Sequence, residues 1–448
     1  MHDLYQLSSR KIRVPPVSFI DRIRHLGPGF ILSAGIVGSG ELIATTTLGA
    51  RAGFITFWVI LVSCVVKVAV QIEFAKHTIL TGKTSMQILN SLPGPLWGKA
   101  RWSVWLMLFF MVIKFVQVGG IIGGVAIILN IAVPEMSIAF WCFLTAVFVA
   151  LLIFKGYYKM IEGFSLIMIA LFTIFTALSL YFVQFTSFAF SIEDVLSGLT
   201  FHLPKEAVAV AIGAFGITGV SGEEIIYYNY WCLEKGYARY TGPEEDSVAW
   251  RQRAKGWIKT MYLDAFAALV TYTVVTALFY LLGASVLYSQ GKIPEGYEMI
   301  EIISAIYTES LGPGAKTVFL IGAFLVLFST LFASLAAWTR LFPDIFGQTG
   351  WIDFHDMKQR KRYIAICAWT FPIIWAILFV FIQLPVVMIL SGGIVGSFIL
   401  FLIVFAVIHI RYKQKHVHFI PDLKYDTFLW LSILSIFLVG IYGLVKLM

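Results

Sequence analysis

Long apolar runs, each closed by charges, glycine or proline, recur eleven times along this 448-residue chain. They cover residues 30–50, 54–75, 103–132, 136–154, 160–186, 206–230, 260–288, 313–338, 363–382, 385–410 and 427–447, here called spans 1 to 11. Each approaches or exceeds the roughly 17–25 residues that a helix needs to cross a bilayer. The pattern predicts an all-α polytopic membrane protein with 11 transmembrane helices. Two spans are interrupted by helix breakers followed at once by carboxylates: Gly38-Ser39-Gly40-Glu41 in span 1 and Val220-Ser221-Gly222-Glu223-Glu224 in span 6. Backbone broken at membrane depth is tolerated only where it is buried in protein or lines a cavity. A carboxylate at that depth costs kilocalories and marks a functional site by default. Two such breaks, one opening each half of the chain, suggest an inverted-repeat transporter with its site at the break points.

Composition agrees with the pattern. Hydrophobic residues make up 59% of the chain, charged residues 13%, and the mean hydropathy is +0.86, against about 45–50% and about 25% in soluble domains. The net charge of +8 does not mark a nucleic-acid face, because the basic residues fall in loops on alternate sides of the spans. With the N-terminus inside, the cytoplasmic segments hold 26 of the 33 Lys and Arg, among them Arg10 to Arg24, Lys155, Lys235 to Lys259 and Arg340 to Arg362. The positive-inside bias therefore places the N-terminus in the cytoplasm and the C-terminus outside. The first apolar run begins only after about thirty residues, is too long for the apolar core of a signal peptide and is followed by ten further spans, so the N-terminus does not read as a cleavable signal.

Three connections are longer than the rest. Residues 233–259 read as a partly helical cytoplasmic segment, 290–310 as an amphipathic outer helix, and 188–205 as a third, outer loop. None is long enough for a separate domain, so a cytoplasmic segment (1–29) precedes one membrane domain (30–448). The four cysteines lie apart, with no disulfide framework and no zinc spacing.

Gly38, Ser39, Glu41, Ser221, Gly222, Glu223 and Glu224 form the candidate substrate or ion site. Breaking a helix frees carbonyls, which favour cations, and amides, which favour anions. Glu41, Glu223 and Glu224 either face the substrate or cap the half-helices that follow them. Adjacent helical residues point about 100° apart, so Glu223 and Glu224 are not expected to ligate one ion together. Lys114, mid-span, must pair or reach water, with Glu41, Glu223 or Glu73 as partners, and reads either as half of a structural salt bridge or as a coupling residue in a proton relay. Tyr227 and Asn229 are candidates for a substrate contact or a gate, while Tyr230 and Trp231 read as interface belt. Lys67, Gln71 and Glu73 are read as snorkelling toward the cytoplasmic end, and Asp264 as lying near a helix end where charge is cheap. Ser329 and Thr330 either help bind sodium or bond back to the backbone. The strings Gly119-Gly120-Ile121-Ile122-Gly123-Gly124 and Ser391-Gly392-Gly393-Ile394-Val395-Gly396 read as close helix contacts.

Over residues 27–410 the chain resembles the Nramp metal transporters. Gly27-Pro28-Gly29-Phe30, the break at 38–41 and Gly49-Ala50-Arg51-Ala52-Gly53-Phe54 match their first helix. Leu263-Asp264 is similar to the opening of their helix 7, and Leu311-Gly312-Pro313 to that of helix 8. The resemblance implies a LeuT-type fold, with spans 1–5 (30–186) and 6–10 (206–410) as inverted repeats and span 11 (427–447) appended. The family's functional motifs differ here. Its Asp-Pro-Gly-Asn is replaced by Gly38-Ser39-Gly40-Glu41, and its Met-Pro-His by Ser221-Gly222-Glu223. No Met or His occurs from Glu206 to Tyr230, so the soft ligand is missing and hard oxygen donors stand near its place.

The implied function is alternating-access secondary transport of a divalent cation such as Mg²⁺ or Mn²⁺. Glu41, Glu223, Glu224 and unwound carbonyls would hold the ion, with no other cofactor. The alternative is a LeuT-type carrier of a small organic or anionic solute, using the carboxylates for coupling or for pairing with Lys114. A membrane enzyme or receptor is a third class, but no nucleophile–base pair, HExxH or phosphate loop supports it. The expected partners are the transported ion or solute and the lipid bilayer, with no nucleic acid.

Overall fold

The computed structural model describes residues 3–154, 158–413 and 423–447. Lys155 and Lys415, both counted in the basic-loop argument, lie outside the described residues, as do the first two residues of the 1–29 segment and residue 448. The protein is an all-α polytopic membrane protein. Its main helices are α1 (Pro28–Ile36), α2 (Thr46–Ala52), α3 (Phe57–Thr81), α4 (Trp102–Ala132), α5 (Ile138–Phe154), α6 (Tyr158–Val183) and α7 (Val208–Ile217). They continue with α8 (Gly222–Lys235), α9 (Val248–Leu282), α10 (Met299–Leu311), α11 (Ala315–Thr349), α12 (Met357–Ile382), α13 (Pro385–Lys413) and α14 (Leu423–Leu447). A two-stranded antiparallel ribbon, Leu96–Trp97 with Ala100–Arg101, sits in the loop before α4.

Among the described residues, eight helical stretches are long and apolar enough to cross a membrane, and Ile138–Phe154 and Ala170–Val183 are shorter apolar helices. The first stretch, Pro28–Thr81, holds 54 residues, about 81 Å at 1.5 Å per residue, far more than one crossing needs. It divides at Gly53, whose φ of +62° no side-chain-bearing residue adopts easily, followed by a 3₁₀ turn at Gly53–Thr56.

Several helices outrun their apolar spans. α9 begins at Val248 rather than near 260, where Ser247 caps it by accepting from the Trp250 amide at 3.1 Å. Its polar first turns bury Trp250, Ala254 and Trp257, and the Trp257 indole donates to the Arg13 carbonyl at 3.2 Å. Hydropathy misses this extension because Arg251, Arg253 and Lys255 dilute it. The expected amphipathic helix in 290–310 is α10, which buries Met299, Ile300, Ile303, Ile306 and Tyr307 along one stripe.

The bundle centre is the segment joining α1 to α2. Every residue of Val37–Thr45 is buried, within the packing of α9, α11 and α13. Large apolar side chains such as Phe143, Phe148, Phe381 and Leu431 are exposed on the periphery, as suits helices solvated by lipid. α7 and α13 approach at glycine: Cβ atoms added at Gly216 or Gly393 would overlap backbone of the facing helix, and one added at Gly222 would lie 2.8 Å from the Gly396 carbonyl oxygen. The 391–396 string therefore does what small residues do in membrane helices, letting backbones touch.

The expectation that Glu73 snorkels is corrected. It is buried and pairs with Lys76 at 2.8 Å and Arg411 at 3.1 Å, while accepting from the Tyr425 hydroxyl at 2.9 Å. Arg411 also pairs with Asp426, so the network fastens α14 to α3 and α13. Near the end of a span, a charge held by several partners costs less than one left to reach water alone.

Candidate functional site

The two interrupted spans resolve differently. In span 6 the helix truly breaks: α7 ends at Ile217, Thr218 is extended (φ −73°, ψ 140°), Gly219 has φ +63°, and α8 starts at Gly222. In span 1 the expected break after Val37 is corrected to a continuous helix with π-helical turns over Val37–Thr45. Gly38 and Gly40 leave room for the widened turns. Thr45 Oγ1 donates to the Gly40 carbonyl at 3.1 Å and Thr46 Oγ1 to that of Glu41 at 3.3 Å. Hydroxyls five residues on thus serve carbonyls in the wide turns, which is a cheaper solution than unwinding.

Side chains from neighbouring helices satisfy the broken span 6. Ser63 donates toward the Phe215 and Thr218 carbonyls at 2.9 and 2.8 Å. Lys67 Nζ donates to the Phe215 carbonyl and, at 3.0 Å, to that of Thr218. On the amide side, Glu41 Oε1 accepts from the Gly219 N–H at 3.3 Å and from the Thr276 hydroxyl at 2.9 Å. The Glu41 carboxylate therefore lies at the break itself, fully buried. At the start of α8, Glu224 Oε2 accepts from the Ser221 N–H at 2.7 Å, which suits a carboxylate at a helix N-terminus.

Beside the break is a cavity of about 50 Å³, walled by α1, the π-helical turn, α4, α8 and α11. Ser39, Lys114, Glu223, Glu224 and Tyr227 line it, five of the residues singled out from sequence. Gln117, one turn beyond Lys114, lines it as well. Lys114 Nζ forms a buried ion pair with Glu223 Oε1 and donates to Gln117 Oε1 at 2.7 Å. Of the three partners expected for Lys114, the fold selects Glu223. Glu223 Oε2 is buried without a hydrogen-bond partner among the described residues. Both adjacent glutamates reach the cavity because Glu224 folds back onto the Ser221 amide while Glu223 extends toward α4.

The remaining candidates lie around the cavity rather than in its wall. Gly38 is closed off by α11, since a Cβ there would overlap the Thr330 hydroxyl. Gly222 packs on Gly396, and Ser221 precedes α8 as its cap residue. Asn229 is fully buried, and its amide finds no partner among the described residues. In the cavity wall itself, Tyr227 accepts from the Trp338 indole at 2.7 Å.

Other readings change in three dimensions. Tyr230 and Trp231 are not interface belt: Tyr230 is fully buried and donates to Asp344 at 2.6 Å, and Trp231 lines the cavity. Asp264 is buried and caps α1, accepting from the Gly27 and Gly29 amides at 2.8 and 2.6 Å and from the Tyr228 hydroxyl at 2.8 Å. Thr330 Oγ1 donates to the Gly35 carbonyl at 3.0 Å, and Ser329 donates to those of Ala34 at 3.3 Å and Val326 at 3.0 Å. Lys67 does not snorkel but points inward at full burial. Ser63 and Lys67, four residues apart on one face of a span, were a legible signal for that role; Thr276 and Trp338 carried none. Among the described residues, no group of three or more His, Cys, Asp or Glu is arranged to hold a metal ion.

Comparison with known proteins agrees with this architecture. A model of the family described as Nramp, natural resistance-associated macrophage protein-like, matches residues 29–446. A divalent metal cation transporter MntH of Caldanaerobacter subterraneus subsp. tengcongensis is 25% identical over 287 residues, 62% of this chain and 61% of that protein. The chain spans 61–62% of the length of the curated relatives it matches. The crystal structure of a mutant of the Eremococcus coleocola manganese transporter superposes with a TM-score of 0.67 at 14% identity, covering 98% of this chain and 90% of that one. Mhp1, a nucleobase-cation-symport-1 family transporter in a closed conformation with bromovinylhydantoin bound, superposes at 0.59 with 14% identity, covering 99% and 93%. At such identities the likeness establishes the fold, which is LeuT-type.

Proposed function

The chain belongs to the Nramp (natural resistance-associated macrophage protein-like) family, and from that premise we propose that it is a secondary transporter carrying a hard divalent cation, Mg²⁺ or Mn²⁺, by alternating access. The observation that carries this reading is the cavity beside the span 6 break, with Glu223, Glu224 and Ser39 in its wall. Its donors are carboxylate, hydroxyl and amide oxygen, with no sulfur or imidazole, and hard cations take such oxygen ligands. Gly38 stands where the resembling family has an aspartate ligand, and Thr330 leaves no room there for a longer side chain. Glu41 acts from behind the wall by holding Gly219, so that ion binding at Glu223 and the hinge at the break are coupled. Thr218 and Gly219 are the pivot, and Tyr227 and Asn229 the gate on the far side.

The cavity's volume supports the cation over an organic solute. About 50 Å³ accommodates a few waters at roughly 10–15 Å³ each, or a small ion with part of its hydration shell. Organic ligands take pockets of about 300 Å³ or more. The aromatic wall of Tyr227, Trp231 and Trp338 and the presence of Lys114 are what favour the organic-solute alternative. Flux into proteoliposomes with Mg²⁺, Mn²⁺ and Cd²⁺, each with and without a pH gradient, tests the assignment. Mg²⁺ or Mn²⁺ uptake should exceed Cd²⁺ uptake. Proton coupling through a span 6 imidazole, the resembling family's usual kind, should be absent because span 6 carries no histidine. Coupling should therefore be weak unless a cavity glutamate takes over that role. Preferred, proton-driven Cd²⁺ uptake overturns the ligand argument, and no cation uptake at all transfers the assignment to an organic solute.

In this reading the chain crosses eleven times, with 30–186 and 206–410 as the inverted five-helix repeats, 427–447 appended, the N-terminus inside and the C-terminus outside. The 26 of 33 Lys and Arg on one side support it. Glu245→Cys, on an exposed loop, should label in inverted vesicles and not from outside intact cells, against a low background because the four native cysteines are buried. Labelling from outside would invert the topology.

A further inference from the structure

Lys67 is a fully buried cation with, among the described residues, no carboxylate within ion-pair distance. Its ligands are instead two backbone carbonyls, of Phe215 and Thr218, where α7 ends, and the Phe215 ring lies 4.8 Å from Nζ. Three features suit a positive charge here. The C-terminus of a helix carries the negative end of its dipole. The carbonyls freed by the break have no intrahelical partner, and lipid offers none. An aromatic face adds cation–π attraction, which is strongest where water is excluded. Carbonyl groups of this kind also replace the hydration shell of small monovalent cations in membrane proteins. A buried ammonium with no carboxylate at ion-pair distance is costly to keep, so its place is informative.

We propose that Lys67 is a tethered cation occupying a carbonyl-lined cation site at the span 6 break, so that the hinge holds its shape without a free alkali or ammonium ion. Ser63 completes the site by donating to the same two carbonyls, and Glu41 holds the amide side of the same break through Gly219. The two halves of span 6 are thereby clamped by opposite charges, each matched to the backbone groups it meets. Removing the lysine side chain leaves the carbonyls and a space beside them, a site for a monovalent cation of ammonium or alkali size.

The test does not use transport and is independent of which substrate the cavity takes. Protein in nanodiscs is heated in chloride salts of choline, sodium, potassium and ammonium at matched ionic strength. The wild type should show one unfolding midpoint in all four. Lys67→Ala should unfold at least about 3 °C lower in choline and recover half or more of that loss in saturating ammonium or one alkali salt, as expected for a ligand that binds only the folded state. Lys67→Met, which fills the space without charge, should be destabilised in every salt. A wild type that loses stability when alkali ions are replaced by choline overturns the proposal on the native chain alone. So does a Lys67→Ala protein that is equally stable in choline, or that no cation restores.

Discussion

Replacing Glu223 by glutamine should lower both stability and transport more than any other single change in the cavity wall. The Lys114–Glu223 pair has side chains 1% and 8% exposed, and removing one member of a buried pair costs about 3–5 kcal/mol because the other is left without a counter-charge. Gln117 still accepts from Lys114 but cannot neutralise it. The Glu223→Gln protein should therefore unfold several degrees lower, and cation flux should fall at least tenfold, equivalent to about 1.4 kcal/mol. The double variant Lys114→Met/Glu223→Gln separates the two effects. It should regain most of the lost stability, because no uncompensated buried charge is left, while flux stays low. Full flux in the single variant would reduce Glu223 to a cap on α8, and unrecovered stability in the double variant would disprove the pair.

The second large effect is expected at Gly216. Here α7 meets α13 through backbone alone, and a Cβ would overlap the Gly393 carbonyl and lie 2.7 Å from the Ser397 hydroxyl. No flexible side chain can swing aside, so the helices must separate along the face that carries the hinge. Overpacking in a close-packed interior costs about 1–3 kcal/mol, and displaced backbone should put Gly216→Ala at or above the top of that range, with loss of flux. Gly35→Ala is the matched comparison. Its new Cβ would meet only that of Ala333, at 3.7 Å, and the unfolding midpoint should be nearly unchanged. Equal midpoints for the two variants would show that the α7–α13 approach is looser than described.

Much of the architecture follows from local pattern. Apolar length, glycine placement and the side on which Lys and Arg accumulate belong to each segment by itself. They made the helical class and the membrane setting legible without any knowledge of packing, while helix ends such as the start of α9 were not. The break in span 6 was also legible, because Gly219, Ser221 and Gly222 weaken a helix wherever it sits. So was the hardness of the donor set, which depends only on which residue types are present near the breaks.

The partners of the buried charges were decided by the fold. Glu41 and Glu223 occupy similar places after similar motifs, yet one turns to Gly219 and Thr276 and the other to Lys114. Glu73, Asp264 and Lys67 all read as charges relaxing toward water, and each is instead held by partners more than a hundred residues away. Span 1 stays helical through its glycines because Thr45 and Thr46 serve the carbonyls of its wide turns inside a packed centre. A sequence by itself states which groups need satisfaction when lipid replaces water. Which group supplies it depends on which helices lie side by side, and a desolvated charge interacts with whatever the fold brings within a few ångströms of it.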